Sequence, residues 1–152
     1  EIDKEITTQS GLALTDDHDQ LEEAARRLQE VGVKVGLLID PSGEAVKRVV
    51  RMKVDAIKLF TGGYADSDTE EDGLIEMGRL ERAARSAAKA DMAIMAGQGL
   101  DYINLPPLAR LGAVDEFIIG QSIISRSILT GMERAVGEML NIARHDGSNM
   151  GL

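Results

Sequence analysis

Residues 92–105, MAIMAGQGLDYINL, decide how the chain is read. An apolar run of strand length stops at Gly97-Gln98-Gly99, and a polar turn follows. The pattern recurs on both sides. DAIKLFTGGYA, residues 55–65, runs into Thr61-Gly62-Gly63 and a polar loop, and DEFIIGQS, residues 115–122, runs into Gly120-Gln121-Ser122. VKVGLLID, residues 33–40, is a fourth β-rich run, turned by Pro41-Ser42-Gly43. Short apolar runs bounded by turn residues read as buried strands.

Helical patterns separate these runs. Thr15, Asp16 and Asp17 form a cap and an acidic first turn for a helix with Leu21, Ala24, Ala25 and Leu28 on one face, closed by Gly32. Residues 44–54 and 70–90 read as amphipathic helices, and Pro106-Pro107 opens a short one. The stretch from Ser122 to Arg144 reads as a single long final helix, with 145–152 as a frayed tail. The order is α-β-α-β-α-β-α-β-α over one domain, 1–152. Alternation of this kind gives a parallel sheet. An open doubly wound sheet and a (β/α)8 barrel both fit it, although four strands are too few to close a barrel, which takes about 250 residues.

Composition narrows the function. The chain has 152 residues, a formal charge of −9, no cysteine and 3% aromatic residues. The acidic balance argues against nucleic acid or an anionic membrane as partner. No apolar run approaches the roughly 20 residues of a membrane span, and no basic-then-apolar leader is recognised. The chain is expected to be soluble and cytoplasmic. It holds no GxGxxG, no Walker A lysine motif and no Cys/His metal spacing, so neither cofactor nor metal is expected.

Ligands of parallel sheets sit beyond the carboxyl ends of the strands. Glycine there permits close backbone approach, and a helix starting near Ser122 offers free N–H groups to an anion. The turns around Gly99 and Gly120 are therefore the candidate phosphate seat. With period 2, Lys58 and Phe60 share one face of their strand while Ile57 and Leu59 share the other. If Ile57 and Leu59 pack on helices, Lys58 faces inward. It then holds phosphate as a point charge, attacks a carbonyl as a Schiff-base amine, or simply snorkels or pairs with a carboxylate. Arg126 reaches phosphate, is solvated at the surface or forms an ion pair. Asp40 reads as a turn residue, and the acids between Asp66 and Asp72 as a solvated helix cap. The histidines are His18 and His145, neither on a strand-end loop, so a near-neutral proton shuttle is missing there.

EITTQSGL, FTGGYAD, AGQGLDY and IIGQSIISRSILTGM resemble, in order and spacing, the pyridoxine 5′-phosphate synthase family of vitamin B6 biosynthesis. The resemblance implies the back part of a (β/α)8 TIM barrel, its last four βα units, from just after strand 4. It implies condensation of 1-deoxy-D-xylulose 5-phosphate with 3-amino-2-oxopropyl phosphate, small phosphorylated substrates, and a homo-oligomer. By the same resemblance Thr7 lies near the deoxyxylulose phosphate, and Gly99 and Gly120 contact the other phosphate. Gln98 stands where the family has a proton-donating histidine, and Gln121 where another histidine holds phosphate. Lys58 replaces a glutamate and Phe60 a histidine. Glutamine has no proton to exchange near neutrality, so Gln98 donates hydrogen bonds without acting as acid or base. Normal turnover is not expected. The alternatives are a non-catalytic phosphate-binding or structural barrel subunit, or an enzyme repurposed around Lys58.

Overall fold

The computed structural model describes residues 9–12 and 19–144. Thr7, the Thr15 cap, His18, His145 and the 145–152 tail lie outside the described residues. The elements are α1 (Asp19–Glu30), β1 (Gly36–Ile39), α2 (Gly43–Met52), β2 (Ala56–Phe60), α3 (Gly62–Ala65), α4 (Glu70–Ala88), β3 (Ala93–Gly97), α5 (Leu105–Ala109), β4 (Glu116–Ile118), α6 (Gln121–Thr130) and α7 (Met132–Ala143).

The four strands form one parallel sheet in the order β1-β2-β3-β4, with Leu38 opposite Lys58, Lys58 opposite Met95 and Met95 opposite Glu116. The order never reverses, so the sheet has no topological switch point. Strand alternation separates two faces. Leu37, Ile39, Ile57, Leu59 and Ile94 join the buried residues of α2, α4 and α5 in one core. Ile39, Ile57 and Leu59 are fully buried, each contributing about 1.5–3 kcal/mol. The opposite face is open: Lys58, Phe60 and Met95 are half-buried, and Gly36, Glu116 and Ile118 are exposed. The one-sided cover and unreversed order overturn the doubly wound alternative, which needs helices on both faces.

Local chemistry sets the ends. Ser42 Oγ accepts the Ala45 N–H at 3.1 Å to start α2, and Lys53, at φ 55°, ends it. Thr69 Oγ1 accepts the Asp72 N–H at 3.1 Å, with Glu70, Glu71 and Asp72 in the first turn of α4. The acidic cluster is thus a helix start, and among the described residues no group of three or more His, Asp and Glu could hold a metal. At the opposite end of the sheet, Asp55 accepts the Val35 N–H and Asp115 the Ile94 N–H, both at 2.8 Å. Each carboxylate ties the start of its strand to the preceding neighbour.

Three expectations are corrected. The final helix is two, α6 and α7, because Gly131 takes φ 83° and ψ 151°, a conformation open essentially to glycine alone. Residues 62–65 are a helical turn, not a polar loop, closed by the Ala65 N–H to Thr61 O and Asp66 N–H to Gly62 O bonds. The first strand begins at Gly36 instead of residue 33. The Val35 carbonyl accepts the Asp55 and Ala56 N–H groups, and the Val35 N–H goes to the Asp55 side chain. Val33, upstream of these bonds, is left exposed.

Candidate functional site

The carboxyl ends of β2, β3 and β4 open on a cavity of about 540 Å³, lined in part by Lys58, Gln98, Gly99, Gly120, Gln121 and Ser122. A neighbouring cavity of about 570 Å³ shares Gln98, Gly99 and Gln121 and adds Gln9, Phe60 and Asp66. The turns after β3 and β4 therefore meet at one rim. α6 begins at Gln121 directly after Gly120, and no side chain caps it. Its first N–H groups and its positive dipole end suit an anion.

The turn after β3 is held from three directions. Thr61 Oγ1 donates to Gln98 O at 2.6 Å, Asn104 Nδ2 to Gly99 O at 3.0 Å, and Ser122 Oγ to Leu100 O at 3.0 Å. Thr61, fully buried, also donates its N–H to Gly97 O at 3.2 Å. Asp101 Oδ1 accepts the N–H groups of Ile103 and Asn104, and Asn104 Oδ1 accepts the Asp101 N–H, all at 2.8 Å. Gln98 has φ 108° and Gly99 φ 73°. A methyl on Gly99 would stand 2.6 Å from Ala65 Cβ, so this turn requires glycine on grounds of space and of conformation.

Lys58 lies on the open face, as the alternation of β2 requires, and lines the first cavity. Its stem runs along Gly97, where a methyl would come 3.2 Å from Lys58 Cε. Among the described residues no carboxylate forms an ion pair with it. Phe60 folds over Gly62, leaving no room for a Cβ there.

Arg126 does not belong to the cavity lining. It pairs with Glu138 at 2.9 Å and lies over the Tyr102 ring, 5.7 Å from its centroid. The Arg126 bond, with Arg134 behind it, holds Glu138 below the usual carboxylate range. Of the sequence alternatives for Arg126, the ion pair is the one formed. Asp40 accepts the Gly11 N–H at 2.8 Å, which fits its reading as a turn residue. Tyr64 donates to Asn104 O at 2.7 Å, and burial, then the Asp101 charge, pushes its hydroxyl upward, so it stays a donor.

Gln98, Gly99, Gly120, Gln121 and Lys58 thus come together, while Thr7 falls outside the described residues. Sequence reasoning missed Thr61, Asn104 and Gln9, and took Ser122 only as a helix start, not as a side chain that holds Leu100 O. Thr61 stood in view beside Gly62-Gly63 but read as part of a glycine turn; its long-range partner has no local signature. The assembled groups are amides, hydroxyls, backbone N–H groups and one ammonium, with the Asp101 and Asp66 carboxylates at the margins. Amides, hydroxyls, backbone N–H groups and an ammonium are chemically suited to an anion and to hydrogen-bonding ligands, whereas the glutamines exchange no protons near neutrality.

The family described as "Pyridoxal phosphate biosynthesis protein PdxJ" matches residues 1–145. Curated relatives named pyridoxine 5′-phosphate synthase include one from Pelobacter propionicus, 35% identical over 142 residues, covering 93% of this chain and 59% of the relative. One from Geobacter sulfurreducens is 37% identical over 142 residues, with the same coverage. One from Syntrophotalea carbinolica is 40% identical over 139 residues, covering 91% of this chain and 58% of the relative. The chain thus spans under two thirds of the length of these relatives. With a match over nearly its whole length and relatives at this level of identity, the chain belongs to the PdxJ family of pyridoxal phosphate biosynthesis proteins.

Proposed function

We propose that this chain forms the phosphate-holding back part of a pyridoxine 5′-phosphate synthase-like (β/α)8 barrel, its last four βα units, acting in vitamin B6 biosynthesis. The carrying observation is the single cavity that joins the Gly99 turn, the Gly120 turn and Lys58 at the carboxyl ends of the strands. The open face of an unreversed parallel sheet supports the barrel, since that face is the interior of a barrel wall. In this reading the Gly99 amide and the α6 start hold a phosphoryl group, and Lys58 balances its charge. Gln98 and Gln121 orient the ligand by hydrogen bonds. The condensation of 1-deoxy-D-xylulose 5-phosphate with 3-amino-2-oxopropyl phosphate needs proton transfers that glutamine does not perform, so turnover is slow or absent. The setting is a soluble, cytoplasmic homo-oligomer; no helix among the described residues is long and apolar enough to cross a membrane.

The test is a titration with inorganic phosphate, followed on the Gly99 and Gly120 amide resonances. Saturable shifts at both are expected; their absence overturns the phosphate seat. In a version extended to the full length of the relatives, Gln98→His with Gln121→His should raise product formation from the two substrates, and no change counts against the lost-proton-shuttle reading.

A second reading rests on Lys58 having no carboxylate partner among the described residues. In this reading the Lys58 nitrogen gives up its proton to solvent and adds to the carbonyl carbon of a keto-sugar phosphate, and the carbonyl oxygen leaves as water to give an imine. Borohydride reduction then traps an adduct at Lys58, and an unmodified Lys58 removes this reading.

A further inference from the structure

We propose that Thr61 is a positioning residue for the candidate site: its buried hydroxyl fixes the Gln98 carbonyl and thereby aims the Gly99 amide at the bound phosphoryl group. The proposal rests on the phosphate-seat reading for its purpose but on its own geometry for its mechanism.

Thr61 is the buried polar residue of the described core, with no measurable exposure. It sits one residue beyond β2, yet both hydrogen bonds that it donates go to the end of β3. Its N–H donates to Gly97 O at 3.2 Å and its hydroxyl to Gln98 O at 2.6 Å. The first bond extends the β2–β3 pairing by one step. The second falls where the chain leaves the sheet and pairing no longer governs its direction.

The next peptide unit turns this bond into an aiming device. The amide joining Gln98 to Gly99 is planar and trans, so its C=O and N–H point in opposite directions. With the carbonyl drawn down to Thr61 in the core, the Gly99 N–H is sent the other way. Gly99 lines both rim cavities. The orientation is not one the chain adopts unaided, because Gln98 sits at φ 108°, a region that side chains with a Cβ rarely occupy. Such a conformation persists only where surrounding contacts over-determine it. Asn104 Nδ2 pins the following carbonyl, Gly99 O, at 3.0 Å, a bond that orients the next peptide, while the Thr61 hydroxyl acts on the Gln98 carbonyl itself.

Two variants separate position from mere stability. Thr61→Val keeps shape and burial without the hydroxyl; Thr61→Ser keeps the hydroxyl and loses a methyl group. Both lower thermal stability, so stability alone does not discriminate. The three-bond HN–Hα couplings of Gly99, which report its φ and so the plane of the Gln98–Gly99 peptide, and the Gly99 amide shift are both read without ligand. Thr61→Ser is expected to keep both and to bind inorganic phosphate within about twofold of the parent protein. Thr61→Val is expected to change both, leave the Gly120 amide in place, and weaken phosphate roughly tenfold, the worth of one well-made hydrogen bond. If Thr61→Val keeps the Gly99 couplings and the Gly99 shift, or if Thr61→Ser loses them, the proposal is overturned. If the parent protein binds no phosphate, the phosphate seat fails, and the ligand-free resonances still decide the role of Thr61.

Discussion

The side chain of Lys58 is laid against Gly97 on the neighbouring strand: a methyl on Gly97 would stand 3.2 Å from Lys58 Cε and 2.6 Å from Ile118 O. Missing bulk on β3 is what lets a lysine on β2 reach the rim. The Ile118 oxygen is backbone and cannot swing aside, so Gly97→Ala must shift β3 against β4. A loss of about 1–3 kcal/mol is expected, as in other overpacked sites. Urea denaturation measures it, and phosphate affinity should fall with it because Lys58 is displaced.

Removing only the Lys58 charge gives a cleaner result. Lys58→Met keeps the apolar stem beside Gly97 and lies on the half-buried open face. Stability is expected to stay within about 0.5 kcal/mol, the range for substitutions away from the core. Inorganic phosphate should bind roughly tenfold more weakly, the scale of a charged hydrogen bond. Calorimetric titration reads the second quantity and thermal unfolding the first.

The glutamines give the site a distinctive response to acidity. Gln98 and Gln121 carry no titratable proton near neutrality, so apart from the ionisation of phosphate itself, affinity should stay flat from about pH 6 to 8. Gln121→His changes this. A histidine titrates near 6.5 and is cationic below that value. The ratio of variant to parent affinity should therefore rise as the pH falls through about 6.5. A ratio independent of pH would show that position 121 does not face the anion.

Gly131 separates α6 from α7 at φ 83°, ψ 151°. No other residue type adopts that conformation readily, and a methyl there meets nothing within 4 Å, so conformation alone sets the cost. Gly131→Ala is expected to destabilise by about 1–3 kcal/mol. Chemical denaturation checks it, and an unchanged midpoint would mean the helix break relaxes easily.

Acid should weaken the end of the sheet remote from the site. The Asp55 carboxylate lies below the usual range because it accepts the Val35 N–H, with Gln29 Nε2 as a second donor. Its folded-state value is depressed, so its stabilising contribution is complete above the ordinary aspartate value and is lost as pH falls through the folded one. Thermal unfolding followed from pH 5 downward should fall less steeply in Asp55→Ala, which starts from a lower midpoint. Equal slopes would assign acid lability to other carboxylates.

Period-2 alternation was enough to place Lys58 and Phe60 opposite Ile57 and Leu59, and glycine turns were enough to mark the rim, because both are local regularities. The break at Gly131 was not legible. Glycine inside an amphipathic run reads the same whether the helix bends, continues or stops, and its backbone angles decide. The helical turn at residues 62–65 was hidden likewise, since glycine-rich segments carry little helix signal. Thr61 and Asn104 escaped notice for a different reason. Their value lies in reaching carbonyls at Gln98 and Gly99, and the Thr61 partner is 37 positions away.

The two-faced character of β2 has a consequence for how such a protein changes over time. Ile57 and Leu59 hold the helices, and Lys58 and Phe60 touch none of that packing face. Substitution at 58 or 60 alters the chemistry of the rim without entering that core. Reactivity can be rewritten here one residue at a time, without passing through an unfolded ancestor. An insertion or deletion of one residue within β2 has no such freedom, because it would drive the ammonium into the core and turn isoleucine outward.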